Sequence, residues 1–243
     1  MTIRIIGIIL LVFSLLPSMA QDSEEIDRMD YWFLLGNKIV FGGVNNWKHS
    51  HELQWRVKDN VQTLDQWYYE GVVTYSPNAN WEIVPDLRIA VKPGRMDYRP
   101  GLGLIRKDYL GKGDNKYKRQ FVQQLKYQWD IDSDGNSRTG IRYILTYNHI
   151  VKENFIVSFL GGPFYRWSED FTGIEFARGG PVFTFIFDKV HTVGFAALAG
   201  AGNLGNDAEG NHQGWAWSFT PMVQLIIRVN KDYKYTPAKY INF

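Results

Sequence analysis

The chain contains no cysteine, which excludes a disulfide framework, thiol catalysis and thiolate metal sites. It also lacks a charge bias. Its 27 Lys+Arg stand against 25 Asp+Glu, a formal charge of +2, so the electrostatic footprint of a nucleic-acid binder is missing and no nucleic-acid partner is expected. Long apolar runs are absent beyond the N-terminus, where no segment approaches the roughly 18 residues a spanning helix needs. A mean hydropathy of −0.28 agrees. No stretch carries a helical period. The entries in excess are 23 glycines and aromatics at 16%, and the aromatics fall on the strand pattern described below.

The N-terminus reads differently from the rest. "MTIRIIGIILLVFSLLPSMAQ" has a basic start at Arg4, an apolar run from Ile5 to Leu16, and small residues at Ser18 and Ala20. This is the pattern of a secretory signal peptide, residues 1–20, cleaved near Ala20. With no cysteine at the cleavage region, a lipoprotein anchor is not expected. Residues 21–243 then form one exported domain.

That domain alternates. In "HQGWAWSFTPMVQLIIRVN" every second residue from Trp215 is apolar: Trp217, Phe219, Pro221, Val223, Leu225, Ile227, Val229. Successive strand side chains point to opposite faces, so the stretch is a long strand with one apolar face. The same phase runs through 47–57, 67–75, 81–91, 121–129, 141–147 and 155–167, then through 172–187 and 191–201. Weaker segments lie near 31–41, 97–107 and 233–243. The apolar phase is disturbed at "RGGP", Arg178–Pro181, where a bulge is expected. The count is about twelve strands (10–12) in an up-and-down meander.

Two solutions exist for an apolar strand face: a protein core or lipid. About eight strands already enclose a lumen that side chains just fill, so twelve leave too wide a space for an apolar core. The other face carries mixed charges in apparent pairs such as Glu52/Arg56 and Asp86/Arg88. Aromatics gather toward strand ends at Trp67, Trp81, Trp129, Trp167, Trp215 and Trp217, as an interfacial girdle requires. The expected fold is an all-β, antiparallel up-and-down transmembrane barrel in the bacterial outer membrane, its apolar face on outer-membrane lipid. The alternative is a soluble periplasmic barrel holding a hydrophobic ligand. The terminal Phe243, after Tyr233, Tyr235 and Ile241, looks like the signal by which such barrels engage their insertion machinery. "SPNAN", "VKEN" and "FDKVH" read as tight periplasmic turns, and 58–64 and 203–213 as outer loops.

Four stretches, "YWFLLGNKIVFGGVNNWKHSHELQWRV", "GVVTYSPNANWEIVPDLRI", "GIRYILTYNHIVKENFIVSF" and "ARGGPVFTFIFDKVHTVGFAAL", resemble a domain-of-unknown-function family of small bacterial outer-membrane barrels. The resemblance covers most of the mature chain and implies that fold. It carries over no catalytic residue.

Lipid-cutting barrel enzymes need Ser, His and an acid near the membrane surface. The available set is His212 and Asp207 in the loop "GNDAEGNHQ", with Ser218 nearby; a solvated loop is the plainer reading. His49, His51 and His149 fall on the apolar register. "DIDSDGNS", Asp130–Ser137, spaces acids like a calcium loop, but Ile141 stands where the final glutamate belongs. A hairpin turn at Asp134-Gly135 explains it better. No metal site and no cofactor is expected. The remaining chemistry is the inward charges: Glu52, Arg56, Glu70, Asp86, Arg88, Arg142, Glu175, Arg178 and Arg228. Buried charges need water or a partner, and nearly balanced signs favour a salt-bridged lumen. The function read from this is a structural or binding barrel; the alternatives are a small-solute channel or a lipid-modifying enzyme.

Overall fold

The computed structural model describes residues 29–42, 46–111, 113–168, 171–205 and 214–229. Among the described residues twelve strands follow one another: β1 (Met29–Tyr31), β2 (Phe33–Gly42), β3 (Trp47–Lys58), β4 (Thr63–Tyr75), β5 (Trp81–Lys92), β6 (Arg95–Tyr109), β7 (Arg119–Asp132), β8 (Ser137–Lys152), β9 (Phe155–Trp167), β10 (Thr172–Ile186), β11 (His191–Asn203) and β12 (Trp215–Val229). Among the described residues no helix is long and apolar enough to cross a membrane. The weak segments at 31–41 and 97–107 are β2 and β6; the one at 233–243 lies outside the described residues, as do residues 1–20 and Phe243.

From β2 to β12 each strand pairs antiparallel with the next, and the sheet closes on itself. The seam departs from the all-antiparallel expectation. β12 runs parallel to β2, with Met222 opposite Leu34 and Val229 opposite Phe41, and β1 extends the same parallel ladder. β1 and β2 are therefore one stave interrupted at Trp32, whose N–H still donates to the Phe219 carbonyl. The barrel has 11 staves. An odd number of alternating staves leaves the first and last pointing the same way, and parallel closure follows.

The facing agrees with the alternation. On β12, Ser218, Thr220, Met222 and Gln224 are buried while Trp215 and Trp217 are exposed. Apolar side chains such as Leu87, Leu102, Leu125, Phe159 and Phe195 are exposed on the outer wall. Polar ones, including Glu52, Gln54, Glu70, Arg88 and Lys107, are buried inside. A soluble barrel with an apolar interior would face the other way.

The outer aromatics form two rims. Near the end where β1 begins lie Trp55, Trp67, Trp129, Trp167, Trp215 and Trp217; at the opposite end lie Trp47, Tyr75, Trp81, Phe121 and Tyr147. Of the six predicted girdle residues, only Trp81 belongs to the second rim. Trp47 and Trp55, Trp67 and Tyr75, and Phe121 and Trp129 each stand eight positions apart on one strand. At about 3.3 Å per residue and a tilt near 40°, that is about 20 Å of height, close to the ~25 Å apolar band of membrane barrels.

Two further expectations change. The "RGGP" stretch keeps its register with β9, and the bulge falls earlier, between Ile174 and Phe176. The phase there breaks because Phe176 and Val182 turn inward onto an apolar lumen cluster with Leu34, Ile144, Leu160, Leu198 and Met222. Loop length does not orient the barrel either. The connections after β3 and after β11 do share an end, but the one between β6 and β7 sits at the other, among the tight turns.

Candidate functional site: the charged lumen

Eleven staves enclose more space than short side chains fill, so the inner wall uses long ones that reach past their neighbours. Lys126 on β7 shows how. Its Nζ lies 2.7 Å from Asp86 Oδ1 on β5 and 3.3 Å from Glu70 Oε1 on β4. Gly101 on β6 leaves the room: a Cβ there would stand 2.8 Å from both Asp86 Oδ1 and Lys126 Cε. Gly36 does the same on β2. It lies between Gln224 and Gln54 in register, and Gln224 Nε2 passes over it to donate to Glu52 Oε1 at 2.9 Å.

Glu52 is fully buried and collects four donors. Lys38 Nζ approaches at 3.3 Å, Gln54 Nε2 at 3.2 Å and the Tyr68 hydroxyl at 3.5 Å, besides Gln224. Glu70 accepts from Arg88 Nη2 at 3.1 Å. The Arg88 guanidinium carbon lies 4.0 Å from the Tyr68 ring centroid and that of Arg56 lies 5.0 Å from it, so cation–π contacts tie the two acid centres together. Arg56 Nε donates to Gln54 Oε1 at 2.8 Å. Lys38–Glu52–Tyr68–Arg88–Glu70–Lys126–Asp86 is one connected chain across the mid-lumen.

The apparent pairs Glu52/Arg56 and Asp86/Arg88 do not form. Residues two and four apart on one strand face stand about 7 and 13 Å apart, whereas direct cross-strand neighbours stand about 5 Å apart. The observed partners are the cross-strand ones: Lys38 opposite Glu52 and Glu70 opposite Arg88 in register.

Two smaller centres flank the middle. Toward the first rim Asp130 receives Arg166 Nη1 at 2.7 Å and also pairs with Arg99. Arg166 bonds Glu175 as well. Arg142 lies over Phe164 and Phe176, and Arg178 over Phe176 and Trp32. Toward the second rim Glu82 holds Lys107 at 3.0 Å and Lys48 at 3.3 Å. Arg228 donates to Thr192.

Eight of the nine predicted lumen charges lie on the inner-wall register, and Glu175, at the β10 bulge and 35% exposed, reaches Arg166; the network is larger. Lys38, Glu82, Lys107, Lys126, Asp97, Arg99, Asp130 and Arg166 belong to it too. Glu82, Lys126 and Arg166 carry the same alternate-residue signal. Asp97, Arg99 and Lys107 sit on β6, where Gly101, Leu102, Gly103, Leu104 and Ile105 give no polar contrast to read.

Ser218 faces inward and is buried, with its hydroxyl lacking a hydrogen-bond partner; Asp207 and His212 lie outside the described residues. His49, His51 and His149 point outward as read, and His51 Nδ1 contacts the Tyr69 hydroxyl at 2.5 Å and His49 at 3.1 Å through Nε2. The "DIDSDGNS" stretch is a hairpin turn. Gly135 takes a φ of 88°, and Asp132 Oδ1 accepts the Asp134 and Asn136 N–H groups.

No family model and no curated protein matches the chain. Among solved structures it is similar to one described as the NanC porin in a rhombohedral crystal form. The identity is 11%, covering 78% of this chain and 95% of that one, with a TM-score of 0.49. That similarity carries no residue role across to the lumen described above.

Proposed function

We propose that the protein is an integral outer-membrane β-barrel whose lumen is closed by its own salt-bridged side chains, a structural or binding barrel without an open bore. The observation that carries this reading is the burial of Glu52, Glu70, Glu82 and Lys107, each 0% exposed on the inner wall. In a water-filled pore such groups would be hydrated. The apolar outer band between two aromatic rims supports contact with outer-membrane lipid. The signal-peptide pattern of residues 1–20 supports export. Membership of the barrel family that the hairpins resemble is part of the same proposal.

Two measurements test it. Fractionation with an alkaline carbonate wash should leave the mature chain in the membrane pellet; release into the soluble periplasmic fraction contradicts membrane residence. Planar-bilayer recording of the purified barrel should show no stepwise conductance, and regular steps contradict the closed lumen.

A further inference from the structure

Two arginines face each other across the β5–β6 ladder. Arg88 and Arg99 are direct register partners, and both side chains enter the lumen. Like charges directly opposite on one face are destabilising. The pair splays apart, Arg88 to Glu70 and Arg99 to Asp130. Each of those carboxylates already holds a second cation, Lys126 on Glu70 and Arg166 on Asp130.

Further positive charge crowds the same space. Arg142 on β8 lies 5.3 Å from the centroid of the Phe164 ring, which Arg166 also covers at 4.8 Å. The guanidinium donors are also not used up. Arg56 Nη2 and Arg88 Nε and Nη1 are buried with no hydrogen-bond partner, although Arg56 is only 9% and Arg88 only 2% exposed. Leaving a buried charged donor unsatisfied is costly. Guanidinium forks match the planar oxygens of carboxylate and phosphate groups. The Arg99 side chain keeps 14% of its surface exposed, which gives the group a contact with water.

We infer that Arg56, Arg88, Arg99 and Arg142 form a lumen site for a small oxyanion, a carboxylate or phosphate held among their guanidinium groups. The inference deepens the binding-barrel reading and rests on it, since a closed lumen holds such an ion where an open one passes it.

The test is calorimetric titration of the full mature chain, refolded in detergent, with inorganic phosphate and separately with citrate, at constant ionic strength against a chloride blank. Saturable binding of one or both is expected. Arg142→Gln and Arg56→Gln should each weaken it about ten-fold. Arg106→Gln, on the outer wall, should leave it unchanged. Where a glutamine variant does not give the heat-shifted gel band of a folded barrel, Arg142→Lys keeps the charge but loses the fork, and the same weakening is expected. No saturable binding to folded wild-type protein overturns the inference, and so does equal weakening by Arg106→Gln. Conductance in bilayers would overturn the closed lumen alone and leave the titration standing.

Discussion

Glu70→Gln is the substitution most informative about the lumen. The native carboxylate is fully buried and accepts from Arg88 at 3.1 Å and Lys126 at 3.3 Å. Lys126 keeps Asp86 at 2.7 Å after the change, but Arg88 loses the carboxylate it points at. Breaking a buried ion pair on one side costs about 3–5 kcal/mol, against a total stability of about 5–15 kcal/mol for a domain. A pair in a water-filled pore would cost about 0–1 kcal/mol. The two pictures of the lumen thus differ by several-fold in one number. Urea-dependent unfolding from lipid vesicles, followed by tryptophan fluorescence, measures it. The double variant Glu70→Gln/Arg88→Met should recover most of the loss, because replacing both partners removes the stranded charge. A single-variant cost below about 1 kcal/mol would refute the dry, salt-bridged lumen.

Other outcomes follow from the same geometry. In the same unfolding assay Leu225→Arg, on the outer wall, should lose about 2–4 kcal/mol, whereas Gln224→Ala should lose about 1 kcal/mol with its bond to Glu52. Gly101→Val should lose about 1–3 kcal/mol by overpacking, because its side chain would collide with Asp86 and Lys126 where they meet over β6. In the turn after β10, Asp188 accepts the Val190 and His191 N–H groups and meets His191 Nδ1 at 2.8 Å, which lowers its carboxyl to about 2. Because the shift is downward, its contribution is present above the unfolded value of about 3.9 and is lost as pH falls through about 2. Hydrogen exchange should find the Val190 and His191 amides protected at pH 4, and loss of protection there contradicts the assignment.

The barrel was legible because a period of two survives wherever one wall is apolar and the other polar. β12 and β5 show it plainly. β6 hides it, because Gly101, under Lys126, and Gly103, beside Val84 and Gln124, leave its inner face without a polar side chain to read. β10 misled for a related reason: Phe176 and Val182 belong to an apolar patch inside the lumen, and the phase break they cause resembles a bulge at Arg178–Pro181. The inner face of each strand was readable, but the partners were not. Sequence proximity pairs Asp86 with Arg88, whereas the ladder puts Arg88 opposite Glu70 and stretches Lys126 over β6 to Asp86. Parallel closure was equally out of reach, since it depends on stave parity, which a miscount of one reverses.

The central claim is that alternate residues of one strand face lipid and a protein-filled lumen. A chain with no cysteine accepts single reporter thiols without background. Leu125→Cys and Gln124→Cys on β7 lie next to each other, the first exposed on the outer wall and the second buried inside. Each is labelled with an environment-sensitive fluorophore before refolding into vesicles containing lipids with nitroxides near the bilayer centre. Strong quenching at position 125 with little at 124 is the predicted result, and the reverse order, or equal quenching at both, would contradict the account.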